Sequence, residues 1–170
     1  MDLAAKIRDV PDFPKPGIVF KDIMPLLADP AALHETVERL AAWAEPLRPD
    51  VVLAVEARGY ITGGALACRL GAGFVAARKP GKLPWRTVTA KYALEYGFDS
   101  IEIHADALER GQRVLVHDDV LATGGTAKAA VELVEQVGAE VVGIPFIVEL
   151  DFLNGRAKLA PYDVESLIHY

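Results

Sequence analysis

The chain has 170 residues, with 18 lysines and arginines against 24 aspartates and glutamates, a formal net charge of −6, and 52% hydrophobic residues. That length suits a single domain of about 100–200 residues, and the composition excludes a disordered tail protein. The acidic balance argues against a nucleic-acid partner, which would need many phosphate-neutralising cations, but a small phosphorylated ligand needs only a local basic patch.

A single cysteine, Cys68, excludes an intramolecular disulfide framework and a CxxC zinc site, and suits a reducing compartment. It lies on an apolar helix and is expected in the core. The opening MDLAAKIRDV has neither the basic nor the apolar region of a secretory signal. Apolar runs such as Val51 to Val55 are far too short to cross a bilayer. These features predict a soluble cytoplasmic protein with no membrane partner.

In chain order, Asp2 to Val10 reads as a short amphipathic helix, with Leu3, Ile7 and Val10 on one side. Pro11, Pro14, Pro16, Pro25 and Pro30 then forbid a long helix and favour an extended, turn-rich segment. Asp29-Pro30 is an N-cap followed by a first helical position, and Leu33, Val37, Leu40 and Ala44 recur at helical spacing. Val51 to Val55 is a continuous apolar run, as in a parallel strand buried on both faces. A second helix spans Tyr60 to Leu70, stopped by Gly71, and a second strand spans Phe74 to Ala77. Lys79 to Ser100 is polar, basic and aromatic with no helical period, which points to a lid or binding loop. Val114 to His117 is a third strand, Gly125 to Val137 a helix closed by Gly138, Val141 to Leu150 a fourth strand, and Val164 to His169 a candidate fifth. His117 falls where an apolar residue is expected.

This alternation predicts an α/β fold: an open, mostly parallel twisted sheet with helices on both faces. Such sheets bind ligands beyond the carboxyl ends of their strands. The loops after Val51–Val55, Phe74–Ala77 and Val114–His117 are therefore the places to look for chemistry.

The strongest chemical signal is VLVHDDVLATGGT, residues 114–126. A buried strand ends in Asp118 and Asp119, and a short loop enters a helix through Thr123-Gly124-Gly125-Thr126. Glycines let backbone amides approach an anion, and the helix N-terminus adds a favourable dipole. The run is neither a Walker A motif nor a GxGxxG fingerprint. Two carboxylates beside a phosphate cradle make sense for a ligand that also carries hydroxyls, cationic character or a divalent ion, such as a phosphorylated ribose. A turn that merely caps a helix after a strand is the alternative.

This motif is similar to the phosphoribosyl-diphosphate (PRPP) binding run of the type I phosphoribosyltransferases. Four further segments resemble, in the same order, the adenine-specific branch of that family: FPKPGIVFKDI at 13–23, EARGY at 56–60, RKPGKLP at 78–84 and YALEYG at 92–97. The resemblance runs from about Pro11 to Leu159. It departs at Glu56-Ala57, where the family often has Asp-Ser, and at Lys21, where it often has arginine.

The resemblance implies one phosphoribosyltransferase domain over 1–170, with a base-recognition hood at 11–27 and a lid at 79–103. It implies transfer of phosphoribose from PRPP to adenine. Asp118 and Asp119 would bind the ribose hydroxyls, and Ala122, Thr123, Gly124, Gly125 and Thr126 the 5-phosphate. Arg58, Gly59, Arg78, Lys79 and Lys82 would meet the pyrophosphate; without the family pattern the basic stretch reads as a solvated loop. Phe20 would stack on adenine, between a Val19 carbonyl acceptor and a Lys21 N–H donor. Read from the residues alone, Phe20 belongs to the core. Glu95 resembles the lid acid that exchanges a proton with the purine, and the bland alternative is a solvated surface acid. Magnesium is implied through PRPP, with Asp118 or Asp119 as candidate contacts, since no metal-ligand motif occurs. The family also implies a homodimer. Another base (xanthine, hypoxanthine or orotate) and a PRPP-binding regulator without transfer remain open.

Overall fold

The computed structural model describes residues 1–94 and 97–170. Its elements in chain order are β1 (Arg8–Pro11), β2 (Val19–Asp22), α1 (Met24–Ala28), α2 (Pro30–Ala44), β3 (Val51–Val55), α3 (Gly59–Leu70), β4 (Gly73–Ala77), β5 (Thr87–Ala93), β6 (Phe98–His104), β7 (Arg113–His117), β8 (Val120–Leu121), α4 (Gly125–Gln136), β9 (Glu140–Glu149) and β10 (Val164–His169). The central sheet has the order β10-β9-β7-β3-β4, with every neighbour parallel, and β8 adds to β9. Two antiparallel pairs, β1–β2 and β5–β6, stand outside it.

Alternation along the strands divides the interior in two. Val51, Leu53 and Val55 of β3 and Val114 and Val116 of β7 face α4, whose Ala127, Ala130, Val131 and Val134 complete that layer. Val52 and Leu115 point the other way, toward Leu40 and Ala41 of α2 and Leu66 and Ala67 of α3. All five residues of β3 are buried, as expected of a central parallel strand. The helix signals act as the chain order suggests. Asp29 accepts from the Ala31 and Ala32 amides at 2.9 and 3.2 Å, and Gly71 ends α3 at φ 65°.

Three local expectations are corrected. Asp2 to Val10 is not a helix: only Ala4–Lys6 form a 3₁₀ turn, and Arg8 onward pairs with β2. The tertiary partner outweighs a helical pattern too short to stand alone. Lys79 to Ser100 is not patternless, because Thr87–Ala93 and Phe98–His104 pair as antiparallel strands that bury Ala90, Ile101 and Ile103 against the α4 layer. Its period-two signal was diluted by polar residues on the outer face. Cys68 is exposed. The buried stripe of α3 runs through Gly59, Thr62, Gly63, Leu66 and Ala67, and Cys68 falls one step off it.

Candidate active site

A cavity of about 390 Å³ opens at the carboxyl ends of β3 and β7. Its lining includes Val19, Phe20 and Lys21; Arg58; Lys79; and Asp118, Asp119, Ala122 and Thr126, drawn from widely separated stretches of the chain. A smaller hollow of about 70 Å³ is lined by 120–127 and by Asp118. The two share Asp118, so a ligand can run from the hollow past the carboxylates into the larger cavity.

The small hollow lies where the sequence predicts a phosphate cradle. Gly124 takes φ 78° as the N-cap of α4 and no side chain caps the helix, so its first amides stay available for an anion. A Cβ at Gly125 would sit at ordinary contact distance, 3.4 Å, from Tyr92, whereas one at Gly124 would lie 2.5 Å from the Gly155 carbonyl oxygen. The close approach in this motif is thus at Gly124.

Asp119 is 4% exposed, and Arg58 Nε lies 2.7 Å from its Oδ2, an ion contact outside hydrogen-bond alignment. Asp118 Oδ1 accepts from the Asp119 amide at 2.8 Å. Burial and the neighbouring Asp119 charge push the Asp118 carboxyl well above the usual range, against a smaller opposing pull from Arg58. Gly59 lies against this pair, since a Cβ there would stand 2.8 Å from Asp118 Oδ1. His117, unexpected in a strand core, is fully buried but satisfied: Nδ1 meets the Pro145 carbonyl and Nε2 meets Thr62 Oγ1, each at 2.8 Å.

The basic residues do not stand free. Glu56, unassigned in the sequence, accepts from the Lys79 amide at 2.7 Å and from Arg78 Nε at 3.0 Å, and lies 3.1 Å from Lys82 Nζ. Burial alone would raise the Glu56 carboxyl, but these donors outweigh it and hold it below its ordinary value. Arg78 and Lys82 are therefore drawn to the cavity wall through Glu56 without lining the cavity themselves. Lys79 also contacts Asp99 and the Tyr92 hydroxyl. Tyr92 opens the YALEYG segment but was given no role there, and Asp99 had no sequence signal, because only the hairpin pairing brings them here.

Phe20 sits at the cavity edge. Phe13 packs edge-on against it at 5.2 Å, and the Arg58 guanidinium lies 5.3 Å from its ring centre. The Lys21 ammonium is engaged elsewhere, 2.7 Å from Asp9 and over the Tyr170 ring. Lys21 can therefore serve the cavity through its backbone. Among the described residues β2 pairs only with β1, leaving its other edge open. Pro11 has no N–H to exchange with its partner Val19, which favours hydrogen-bonded pairing at Val10–Phe20. That turns the main-chain groups of Val19 and Lys21 toward the open edge. Glu95 lies outside the described residues.

A parallel sheet with carboxylates, a helix-borne anion cradle and a basic wall converging at its carboxyl edge defines a phosphoribosyltransferase site. Comparison agrees: residues 27–164 match the phosphoribosyl transferase domain family, and the chain belongs to that family. Within it, the chain is 56% identical to the adenine phosphoribosyltransferase of Symbiobacterium thermophilum and 54% identical to that of Thermotoga neapolitana, each over the full length of both chains. The solved adenine phosphoribosyltransferase of Thermoanaerobacter pseudethanolicus superposes with a TM-score of 0.97 at 53% identity, covering 99% of this chain and 98% of that one. The Saccharomyces cerevisiae enzyme, solved with adenine and D-2,5-dideoxy-2,5-imino-altritol 1,6-bisphosphate, gives 0.93 at 39% identity, covering 98% and 96%.

Proposed function

We propose that this chain transfers the phosphoribosyl group of PRPP to adenine, giving AMP and pyrophosphate. The observation that carries the reading is the cavity joining the Val19–Lys21 edge to Asp118 and Asp119, with the hollow at 122–126 adjoining it through Asp118, in a chain that matches adenine phosphoribosyltransferases from end to end. The C1–O bond of the ribose breaks, the C1–N9 bond of adenine forms, and the N9 proton is released. Positive charge develops on the ribose, as in glycoside chemistry. Asp118 and Asp119 hold the ribose hydroxyls and place negative charge beside that centre, while the cradle fixes the 5-phosphate. Arg58, Gly59, Arg78, Lys79 and Lys82 receive the pyrophosphate, for which the Lys79 and Lys82 contacts to Asp99 and Glu56 must rearrange. Phe20 supplies the flat face for adenine. The Val19 carbonyl accepts from the exocyclic amine and the Lys21 N–H donates to a ring nitrogen.

The donor set suits magnesium. Asp119 Oδ2 is buried without an aligned hydrogen-bond donor, and two adjacent carboxylates are hard oxygen ligands. Asp118 or Asp119 would hold the ion together with PRPP oxygens, and the ion would neutralise charge on the departing pyrophosphate. The hairpin within 79–103 acts as the lid and brings Glu95 to the purine, excluding water that would waste PRPP. The chain works as one domain over 1–170, with 11–27 as its hood. It acts in the cytoplasm as a homodimer; Phe74 on the edge strand β4 and Ile61 on α3, exposed at 42% and 47%, are the exposed apolar residues that support this assembly. Among the described residues no helix is long and apolar enough to cross a membrane.

The test is an assay of purified protein with PRPP, magnesium and each nucleobase. AMP from adenine is expected. Hypoxanthine would set carbonyl against carbonyl, and a site that hydrogen-bonds its substrate rejects such an analogue by ~10⁴ or more. Comparable kcat/KM for both bases defeats the adenine assignment. PRPP binding without any nucleotide product would make the chain a regulator.

A further inference from the structure

Behind the phosphate cradle lies a residue with no part in the reading above, Gly155. A Cβ built on it would stand 2.2 Å from the Ala122 carbonyl oxygen, 2.9 Å from the Gly124 amide nitrogen and 3.0 Å from the Thr123 carbonyl carbon. Every one of these atoms is main chain, so no side-chain rotation could relieve the overlap. From the other side, a Cβ on Gly124 would meet the Gly155 carbonyl oxygen at 2.5 Å. Unlike Gly124, Gly155 has no left-handed φ. What position 155 requires is the absence of a side chain, not conformational freedom.

The segment that carries Gly155 is held firmly from behind. Glu149 and Arg156 bracket residues 150–155, with Arg156 Nη2 and Nε at 2.5 and 3.0 Å from the two oxygens of Glu149. Arg156 Nη1 donates to the Val164 carbonyl at 2.6 Å, and Ser166 Oγ donates to Glu149 at 2.7 Å. Glu149 is only 5% exposed, and the guanidinium beside it holds its carboxyl below the ordinary range. A bidentate pair of this kind fixes orientation as well as distance. The Leu150 amide also donates to the Leu121 carbonyl at 2.9 Å, so the segment is tied to the cradle's entry strand.

We propose that Gly155, clamped by the Arg156–Glu149 pair, is a positioning residue for the 5-phosphate: it is the flat back wall on which Ala122, Thr123 and Gly124 seat so that the cradle amides converge on one point. The proposal rests on the reading of 122–126 as the phosphate site. Anything larger at 155 must displace the loop, and a displacement of about 1 Å in a positioning element can cost ~10²-fold.

The experiment compares wild type with Gly155→Ala, Arg156→Lys and the control Gly64→Ala, whose Cβ would meet nothing within 4 Å. Ribose 5-phosphate binding is measured by calorimetry, and KM for PRPP, KM for adenine, kcat and melting temperature are measured alongside. In Gly155→Ala, ribose 5-phosphate binding is expected to weaken and the PRPP KM to rise by roughly 10- to 100-fold, with the adenine KM unchanged. Arg156→Lys, which cannot form the bidentate pair, should move the same two quantities in the same direction by less, and Gly64→Ala neither. Wild-type ribose 5-phosphate affinity in folded Gly155→Ala overturns the proposal. So does a uniform loss in kcat and both KM values with a lowered melting temperature, which would make Gly155 a general packing residue. If Gly155→Ala does not fold, Arg156→Lys decides by the same criteria. Absence of AMP from wild type would count against the activity, whereas ribose 5-phosphate binding tests the wall independently.

Discussion

Arg58 Nε lies 2.7 Å from Asp119 Oδ2, while the same guanidinium stands 5.3 Å from the ring centre of Phe20. One cation therefore links Phe20, the proposed shelf for the base, to Asp119, the carboxylate proposed to bind the ribose. Arg58→Ala is expected to lower kcat/KM for PRPP by ~10–10², because the buried Asp119 loses its neighbouring charge and the pyrophosphate loses a donor. Arg58→Lys should recover only part of this, since an ammonium cannot present the planar fork. Steady-state kinetics with both substrates varied provides the check, and unchanged kcat/KM in Arg58→Ala would remove the residue from the site.

Asp118 and Asp119 should act on the transition state more than on binding. Asp118→Asn or Asp119→Asn is expected to reduce kcat/KM by ~10–10³, the loss of an electrostatic stabiliser of ~2–4 kcal/mol. A pH effect accompanies Asp119→Asn. The Asp118 carboxyl is raised by burial and by the Asp119 charge, so removing that charge lets it ionise at lower pH. The acid limb of the kcat/KM profile should then move toward lower pH in Asp119→Asn. A limb that stays put would show that the pair does not share its charge.

His117 supplies a stability test. Burial holds its ring down to about 4, with the Pro145 carbonyl and Asp119 pulling weakly the other way. In the unfolded chain it protonates near the ordinary ~6.5. Between these values the unfolded state binds more protons, so folding stability rises with pH and is lost as pH falls. The loss is ~1.4 kcal/mol per unit, or about 3 kcal/mol across the window. His169, raised by Asp151, works in the opposite sense but is common to wild type and variant. Urea unfolding of wild type and His117→Leu from pH 8 to pH 4 should therefore show the variant less stable at pH 8, with Thr62 and the Pro145 carbonyl unpaired. The gap should narrow toward pH 4. A gap that does not change with pH would show that His117 titrates normally.

Glu95 is expected to matter for chemistry and not for PRPP affinity. Glu95→Ala should lose kcat by ~10²–10⁴. Glu95→Gln distinguishes proton exchange from simple hydrogen bonding to the purine, because a glutamine that keeps most of the rate leaves only the hydrogen bond. Full activity in Glu95→Ala would make it a solvated lid acid.

The legible parts of the site are those built from contiguous residues. Asp118 through Thr126 announce themselves because strand end, carboxylates, glycines and helix start are consecutive, and the local backbone makes the cradle. Glu56 was less visible. It looked like a departure from the family pattern, and only the convergence of the Lys79 amide, Arg78 and Lys82 on its two oxygens reveals it as the centre of the basic wall. Gly155 was invisible, since nothing in its own neighbourhood says that Ala122 and Gly124 lie against it.

Chain order and pattern alone decided the alternating α/β architecture, the buried parallel strands, the caps at Asp29 and Gly71, and the glycine turn that opens α4. These depend on short-range rules: side-chain periodicity, N-cap chemistry and glycine backbone freedom act within a few residues. Tertiary structure decided everything that depends on which distant segments meet. Pairing with β2 turned the expected first helix into a strand, and contact with the α4 layer turned an apparent loop into the β5–β6 hairpin. It also enclosed His117 between Thr62 and Pro145, and set Gly155 behind the cradle with less than a methyl group's space. The physical reason is that burial and hydrogen-bond pairing between segments far apart in sequence carry more free energy than local propensity, and their partners leave no mark in the local pattern.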